Sequence, residues 1–144
     1  MLLKKLVVLG LPLIWLCTFS THADESAEHQ QEVDSEYVER AVLTTAVENR
    51  EPVDELGHQY THSGEQFDRL VFFTHIKNHD GRGVVHRWYR NGELDAEINL
   101  AIGSDSWRTY SSRQIGPMAS GDWTVRVVND RDEELVVHQF VVQR

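Results

Sequence analysis

Histidines are the residues here whose type most readily serves chemistry: His58, His62, His75, His79, His86 and His138. His58 and His62 are four apart, as are His75 and His79, and on a helix that spacing aims two imidazoles at one metal. On a strand the same spacing puts both on one face but about 13 Å apart, at about 3.3 Å per residue. A shared site therefore requires the loop around His58 to curl, or the turn after His75 to fold back. A metal site from His58, His62, His75 or His86 is one reading. Scattered surface histidines and no metal is the favoured one, because three protein ligands and a supporting shell are needed.

Other chemistry is sparser. Asp130, Asp132, Glu133 and Glu134 crowd one turn but lack the glycine and ligand spacing of a dedicated calcium loop. No serine sits in a Gly-x-Ser-x-Gly elbow, and Ser111 and Ser112 have no base at a fixed spacing. No phosphate-cradling glycine loop is present. The expectation is a non-enzymatic chain without a cofactor.

Arginine and aromatic residues form the more specific pattern. Alternation puts Trp88 with His86 on one strand face and Arg87 with Tyr89 on the other. It also puts Arg108, Tyr110 and Ser112 opposite Trp107 and Thr109. One reading buries Trp88, Trp107 and Trp123 in a core, at roughly 150–250 Å² each. The other takes Arg87, Arg108, Tyr110 and Ser112 as a ligand-binding patch, with stacking rings beside forked donors for a sugar, a carboxylate or a peptide. Cross-strand ion pairs with Glu93, Asp95 or Glu97 are the competing use of the arginines.

The elements that must position these residues read as strands throughout. Tyr37–Val47 is a first strand, ended by Glu48-Asn49-Arg50-Glu51-Pro52, with Pro52 at an edge or turn. Residues 53–66 read as a loop, with a short strand near Glu55–Gly57. Arg69–Lys77 is apolar on both faces, as a central strand is. Val84–Arg90 follows, and Asn91-Gly92 predicts a type I′ hairpin into Leu94–Ile102. Trp107–Gln114, Asp122–Val128 and Glu134–Val142 complete the set. About seven short antiparallel strands with frequent turns predict an all-β immunoglobulin-like sandwich, with a small barrel as the alternative. Trp88, in the third major strand, stands where such sandwiches bury a tryptophan.

The chain opens with Lys4 and Lys5, an uncharged Leu6–Leu16 and a small residue at Ala23. This is the pattern of a secretory signal over residues 1–23, cleaved after Ala23. The apolar run is shorter than the roughly 20 residues of a membrane anchor, so none is expected after cleavage. Leu16 precedes Cys17, the sole cysteine, where lipid attachment would call for a small residue. Residues 24–36 are acidic and nearly devoid of apolar groups, and read as a disordered spacer before one domain over 37–144. Loss of Lys4 and Lys5 takes the net charge from −9 to −11, a surface that repels nucleic acid. The expected place is the periplasm or the exterior.

Three ordered motifs carry a family resemblance: His86-Arg87-Trp88-Tyr89-Arg90-Asn91-Gly92, Trp107-Arg108-Thr109-Tyr110-Ser111-Ser112 and Gly121-Asp122-Trp123-Thr124-Val125. With Glu39-Arg40-Ala41-Val42 and Arg50-Glu51-Pro52 upstream, the stretch from Tyr37 to Val142 resembles domain-of-unknown-function family 2914. The resemblance implies a bacterial extracytoplasmic or envelope-linked domain and carries no activity over. The functional expectation is a binding or interaction module whose partner is an envelope protein or polysaccharide. A carbohydrate-recognising domain and a histidine-based metal binder are the alternatives.

Overall fold

The computed structural model describes residues 29–79 and 81–144, and the expected signal segment with Cys17 and Ala23 lies outside them. Among the described residues there are eleven strands: β1 (Gln31–Val33), β2 (Val38–Thr44), β3 (Val47–Glu48), β4 (Glu51–Pro52), β5 (Gln59–Thr61) and β6 (Asp68–Lys77), then β7 (Gly83–Arg90), β8 (Glu93–Ala101), β9 (Ser106–Ile115), β10 (Gly121–Val128) and β11 (Glu134–Gln143). The larger sheet runs β1-β11-β10-β7-β8, with β5 parallel to the far half of β11. The smaller sheet runs β2-β6-β9, and β3 pairs only with β4.

Seven of these strands are long. Their first, second and fifth form one sheet, and their fourth, third, sixth and seventh form the other. That is an immunoglobulin-like sandwich in which the fourth strand has joined the third. Four additional short strands raise the count above the expected seven.

Alternation decides what faces inward. Leu70, Phe72 and Ile76 of β6 meet Val84 and Trp88 of β7, Trp123, Val125 and Val127 of β10, and Val136, Phe140 and Val142 of β11. Trp88 is fully buried. Phe72, Trp123 and Phe140 surround it, each edge-on at ring-centroid distances of 6.5, 6.5 and 6.4 Å. This aromatic cluster occupies the place of the inter-sheet disulfide that the thiol-free domain lacks. Trp107 is only half-buried at the sandwich flank.

Polar side chains also enter this interior. Trp88 Nε1 donates to Ser111 Oγ at 2.9 Å, and Ser111 Oγ lies 2.8 Å from His86 Nδ1. His86 Nε2 lies 3.2 Å from Thr74 Oγ1, which donates to the Thr109 carbonyl at 3.4 Å. One proton arrangement satisfies every member: Ser111 donates to Nδ1, and the imidazole donates from Nε2 to Thr74. The network ties β7 to β6 and β9 across the core.

Several boundaries differ from the sequence reading. The spacer expected to be disordered over 24–36 contains β1, whose residues pair with Val136–His138 of β11. Its side chains are exposed, so composition gave no sign of it. The backbone edge of β11 orders it instead. The short strand expected near Glu55–Gly57 lies at Gln59–Thr61, and the first strand ends at Thr44.

The smaller sheet has a second covering. Val42, Val71 and Phe73 point away from the main core and are nonetheless buried. Arg40, His75 and Arg108 form one row across β2, β6 and β9. Glu51 of the β3–β4 hairpin bonds both ends of that row, Arg40 at 2.8 Å and Arg108 at 3.0 Å. The hairpin thus straps the outer face, and Arg40 stacks over Phe73 at 5.5 Å. Asp54 closes the strap: burial pushes its carboxyl up, but hydrogen bonds from Thr45 and Thr44 outweigh that and hold it below the usual range.

Asn91 and Gly92 adopt φ 49° and 81°, the left-handed pair that a type I′ turn requires. Asn91 Oδ1 accepts from the Asp122 amide at 3.0 Å, which places it against Gly121. Gly121 has φ 136°, and a Cβ there would lie 2.6 Å from Asn91 Oδ1. Gly121→Ala is expected to destabilise the fold by about 1–3 kcal/mol through backbone strain and loss of this turn contact. Urea unfolding would show it as a lower midpoint at an unchanged slope.

Candidate functional site

The outer face of the larger sheet follows directly from the inner one. Because His86 and Trp88 point into the core, Arg87 and Tyr89 point out. Register then lays two rows across the strands. Arg126, Arg87 and Glu97 form one, and Thr124, Tyr89 and Leu94 form the other. A β-bulge between Trp88 and Tyr89 brings Leu94, rather than Asp95, opposite Tyr89. Leu94 is 54% exposed in consequence. An open groove of about 350 Å³ runs over these rows, lined by Arg87, Tyr89, Thr124, Arg126, Asp132 and Glu134 among others.

The groove's charges are compensated but not buried. Arg87 donates from Nε to Glu97 at 2.9 Å and pairs through Nη1 with Asp132 at 2.8 Å. Those hydrogen bonds, Asp132 first and Glu97 second, raise its pKa further and keep it charged. Arg126 bonds Glu134 at 2.5 Å and lies over the Tyr89 ring at 5.9 Å. The Asp132 side chain is 71% exposed, so it can swing away when another acceptor arrives. Two guanidiniums, three carboxylates, a phenol ring and Leu94 therefore share one face. Exposed pairs of this kind hold weakly, by about 0–1 kcal/mol each, and exchange readily.

The structure does not bring the four expected patch residues together. Arg87 is on β7 of the larger sheet, whereas Arg108, Tyr110 and Ser112 are on β9 of the smaller one. Their outward faces lie on opposite sides of the sandwich. Arg108 serves the hairpin strap through Glu51. Tyr110 remains 46% exposed, and Ser112 accepts from Arg69 at 3.4 Å. The sequence reading sets Tyr89 on the outward face with Arg87 but leaves it out of the patch, and it does not single out Arg126 or Arg69. Tyr89 and Arg126 carried an alternation signal, but only strand pairing makes them neighbours.

The histidines are dispersed. His86 is in the core network, and burial pushes its pKa down to about 3. His138 is stacked on His58 with ring centroids 4.9 Å apart, and lies between Gln31 Oε1 at 3.1 Å and the Gly57 carbonyl at 2.9 Å. Burial outweighs the Gly57 contact and lowers its pKa to about 4. His62 donates to the Ile115 carbonyl and accepts from Gly64. Beside it Asp68 gathers Ser63 and Tyr60. Burial pushes that carboxyl up, but the hydrogen bonds and His62 hold it low. His75 contacts Ser106. Among the described residues no cluster of three or more histidines, cysteines and carboxylates stands where a metal could be held.

Ser111 and His86 are in contact, yet both are buried and every polar atom is committed to Trp88, Thr74 or each other. The pair is a structural bond without access for a substrate. A second concavity of about 550 Å³ lies beside Gly81–Val85 and Asn99–Ile102. Near it His79 is buried, and among the described residues neither ring nitrogen is hydrogen-bonded. Its Nε2 is 4.0 Å from Asp130.

Residues 82–142 match the model of the family described as Protein of unknown function (DUF2914). The match contains all three downstream motifs and every groove residue named above; β1–β6 lie before it. No curated protein matches the chain.

Two of the buried histidines, His86 and His138, link stability to pH. Each has a folded pKa below the unfolded 6.5, so the unfolded chain binds more protons as pH falls. Their contribution is fully present above pH 6.5, falls progressively below it, and is gone once the pH has passed about 4 for His138 and about 3 for His86. Asp54 and Asp68 add losses only below the ordinary carboxylate value of 3.8. Denaturant titrations between pH 7 and 4.5 are expected to show stability falling by up to about 3 kcal/mol per pH unit. His138→Gln is expected to make that slope shallower by about half.

Proposed function

We propose that this chain, which carries a DUF2914 domain over residues 82–142, is a non-enzymatic interaction module that offers the outer face of its larger sheet to a protein partner. The observation that carries the reading is the tile of Arg87, Arg126, Tyr89 and Leu94 over a shallow groove, with exchangeable carboxylates at its rim. Arginine and tyrosine are the residues that interfaces concentrate, and both signs of charge on one face suit a protein surface better than a simple anion. A groove without an unpaired nucleophile or a perturbed accessible base supports binding over catalysis.

The setting follows from the amino terminus. Export by a signal cleaved after Ala23 would put the module in the periplasm or outside the cell, where its partner is an envelope component. Amino-terminal sequencing of the protein from a periplasmic fraction should then begin at Asp24, and a chain starting at Met1 would refute cleavage.

A photo-crosslinking residue at Leu94 tests the face itself in cells. Discrete adducts are expected from Leu94 and not from Glu39, which is exposed on β2 of the smaller sheet. The Arg87→Ala/Arg126→Ala variant should lose them while keeping its unfolding midpoint within about 1 kcal/mol of the parent. Adducts that survive the double substitution would sink the assignment of this face.

A further inference from the structure

The opposite side of the sandwich carries a different charge arrangement. Of the strand arginines, Arg40 and Arg108 share Glu51, Arg113 pairs with Asp95, Arg87 and Arg126 are paired as above, and Arg90 bonds the Met118 and Ser120 carbonyls. Arg69, on the outer face of β6, is exposed and has no carboxylate partner among the described residues. Its one polar contact is a long 3.4 Å bond from Nη2 to the neutral Ser112 hydroxyl. The guanidinium fork is therefore left free for an incoming anion.

What lies beside it narrows the class of anion. Tyr110 and Ser112 alternate with buried Ser111 on β9, so both point outward, about 6.6 Å apart at 3.3 Å per residue. Tyr110 is 46% exposed. An exposed ring two residues from Ser112, whose hydroxyl the Arg69 fork reaches from its place opposite Gln114, matches a pyranose carrying a carboxylate. The C–H face of the sugar covers the phenol, its hydroxyls meet Ser112, and its carboxylate takes the fork in bidentate fashion. Gln114, the register partner of Arg69, offers an amide to the next hydroxyl along β9.

We propose that Arg69, Tyr110 and Ser112 form a second binding site, on the smaller sheet, for a uronic-acid-type acidic oligosaccharide. The site is independent of the groove on the larger sheet, since no residue is shared. Its charge logic is complementarity at one point: in a chain of net charge −9, this is a free arginine beside an exposed ring.

Calorimetric titration of the protein with hexagalacturonate tests it. Saturable binding is expected, weakened about tenfold or more by Arg69→Gln and several-fold by Tyr110→Ala. The methyl-esterified hexamer, which keeps the rings and loses the charges, should bind no better than the Arg69→Gln variant binds the acid. Arg87→Gln should leave the isotherm unchanged, so failure here and failure of the interaction face are separate results. Arg69 and Tyr110 are both exposed, and near-parental melting temperatures would verify folding of their variants. The proposal is overturned by any of four results: no binding by the parent protein, equal binding of the ester, binding that persists in Arg69→Gln, or equal Arg69-dependent binding of hexaglutamate. The last would reassign the site to acidic peptides.

Discussion

A chain of buried hydrogen bonds from Trp88 through Ser111 and His86 to Thr74 fixes this sandwich, because it permits one register between strands of different sheets. An apolar core tolerates repacking when volume is kept. A buried donor without a partner costs about 1–3 kcal/mol, so sliding β7 against β9 would orphan the indole N–H and both imidazole nitrogens at once. The period of a strand is two, and a slip of one residue exchanges its faces. Fixing His86 and Trp88 inward therefore fixes Arg87 and Tyr89 outward. Fixing Ser111 inward does the same for Tyr110 and Ser112. Both exposed surfaces are consequences of one interior network.

The long strands were legible because their side chains announce them. β6, β7 and β10 show apolar alternation or saturation, and Asn91-Gly92 marks the β7–β8 turn through its need for positive φ. The match over residues 82–142 and the sandwich agree with that reading. Elements held by backbone pairing alone were not legible. β1 is acidic and exposed, and it exists because β11 has an open edge. The β3–β4 hairpin, with Asn49 and Arg50 at φ 50° and 66°, lacks the glycine that would have signalled its turn. Phe73 and Val71 read as marks of a central strand, and β6 is central; the outer side of Phe73 is covered by Arg40, which Glu51 of the hairpin holds.

The candidate site shows the same division. Which residues face outward was readable from alternation; which of them are neighbours was not. Arg87 and Arg108 look alike in sequence, each two residues before an aromatic or tyrosine position. Sheet assignment separates them by the full thickness of the sandwich. The bulge before Tyr89 then replaces Asp95 by Leu94 in the outer row and frees Asp95 to reach Arg113 of β9 at 2.6 Å. One inserted residue thus converts an acidic position of the groove into an apolar one and adds a tie between the sheets. No periodicity argument finds such a displacement, because the extra residue breaks the period on which the argument rests.

Charge compensation distinguishes the two faces in kind. On the outer face of the larger sheet Arg87 and Arg126 each already have a carboxylate that is itself exposed, so a partner binding there would exchange one acceptor for another, which rewards shape and apolar contact more than charge. Such a face discriminates through Tyr89 and Leu94, with the ion pairs setting orientation. On the smaller sheet the strap has consumed Arg40 and Arg108, and Arg69 is left with a hydroxyl alone. An anion arriving there displaces nothing charged, so its attraction is net and will fall with added salt. The acidity of the whole chain does not oppose this: over one Debye length, about 8 Å at physiological ionic strength, the local guanidinium outweighs distant carboxylates. A single fold with its register fixed from within can in this way carry a compensated surface on one side and an uncompensated one on the other.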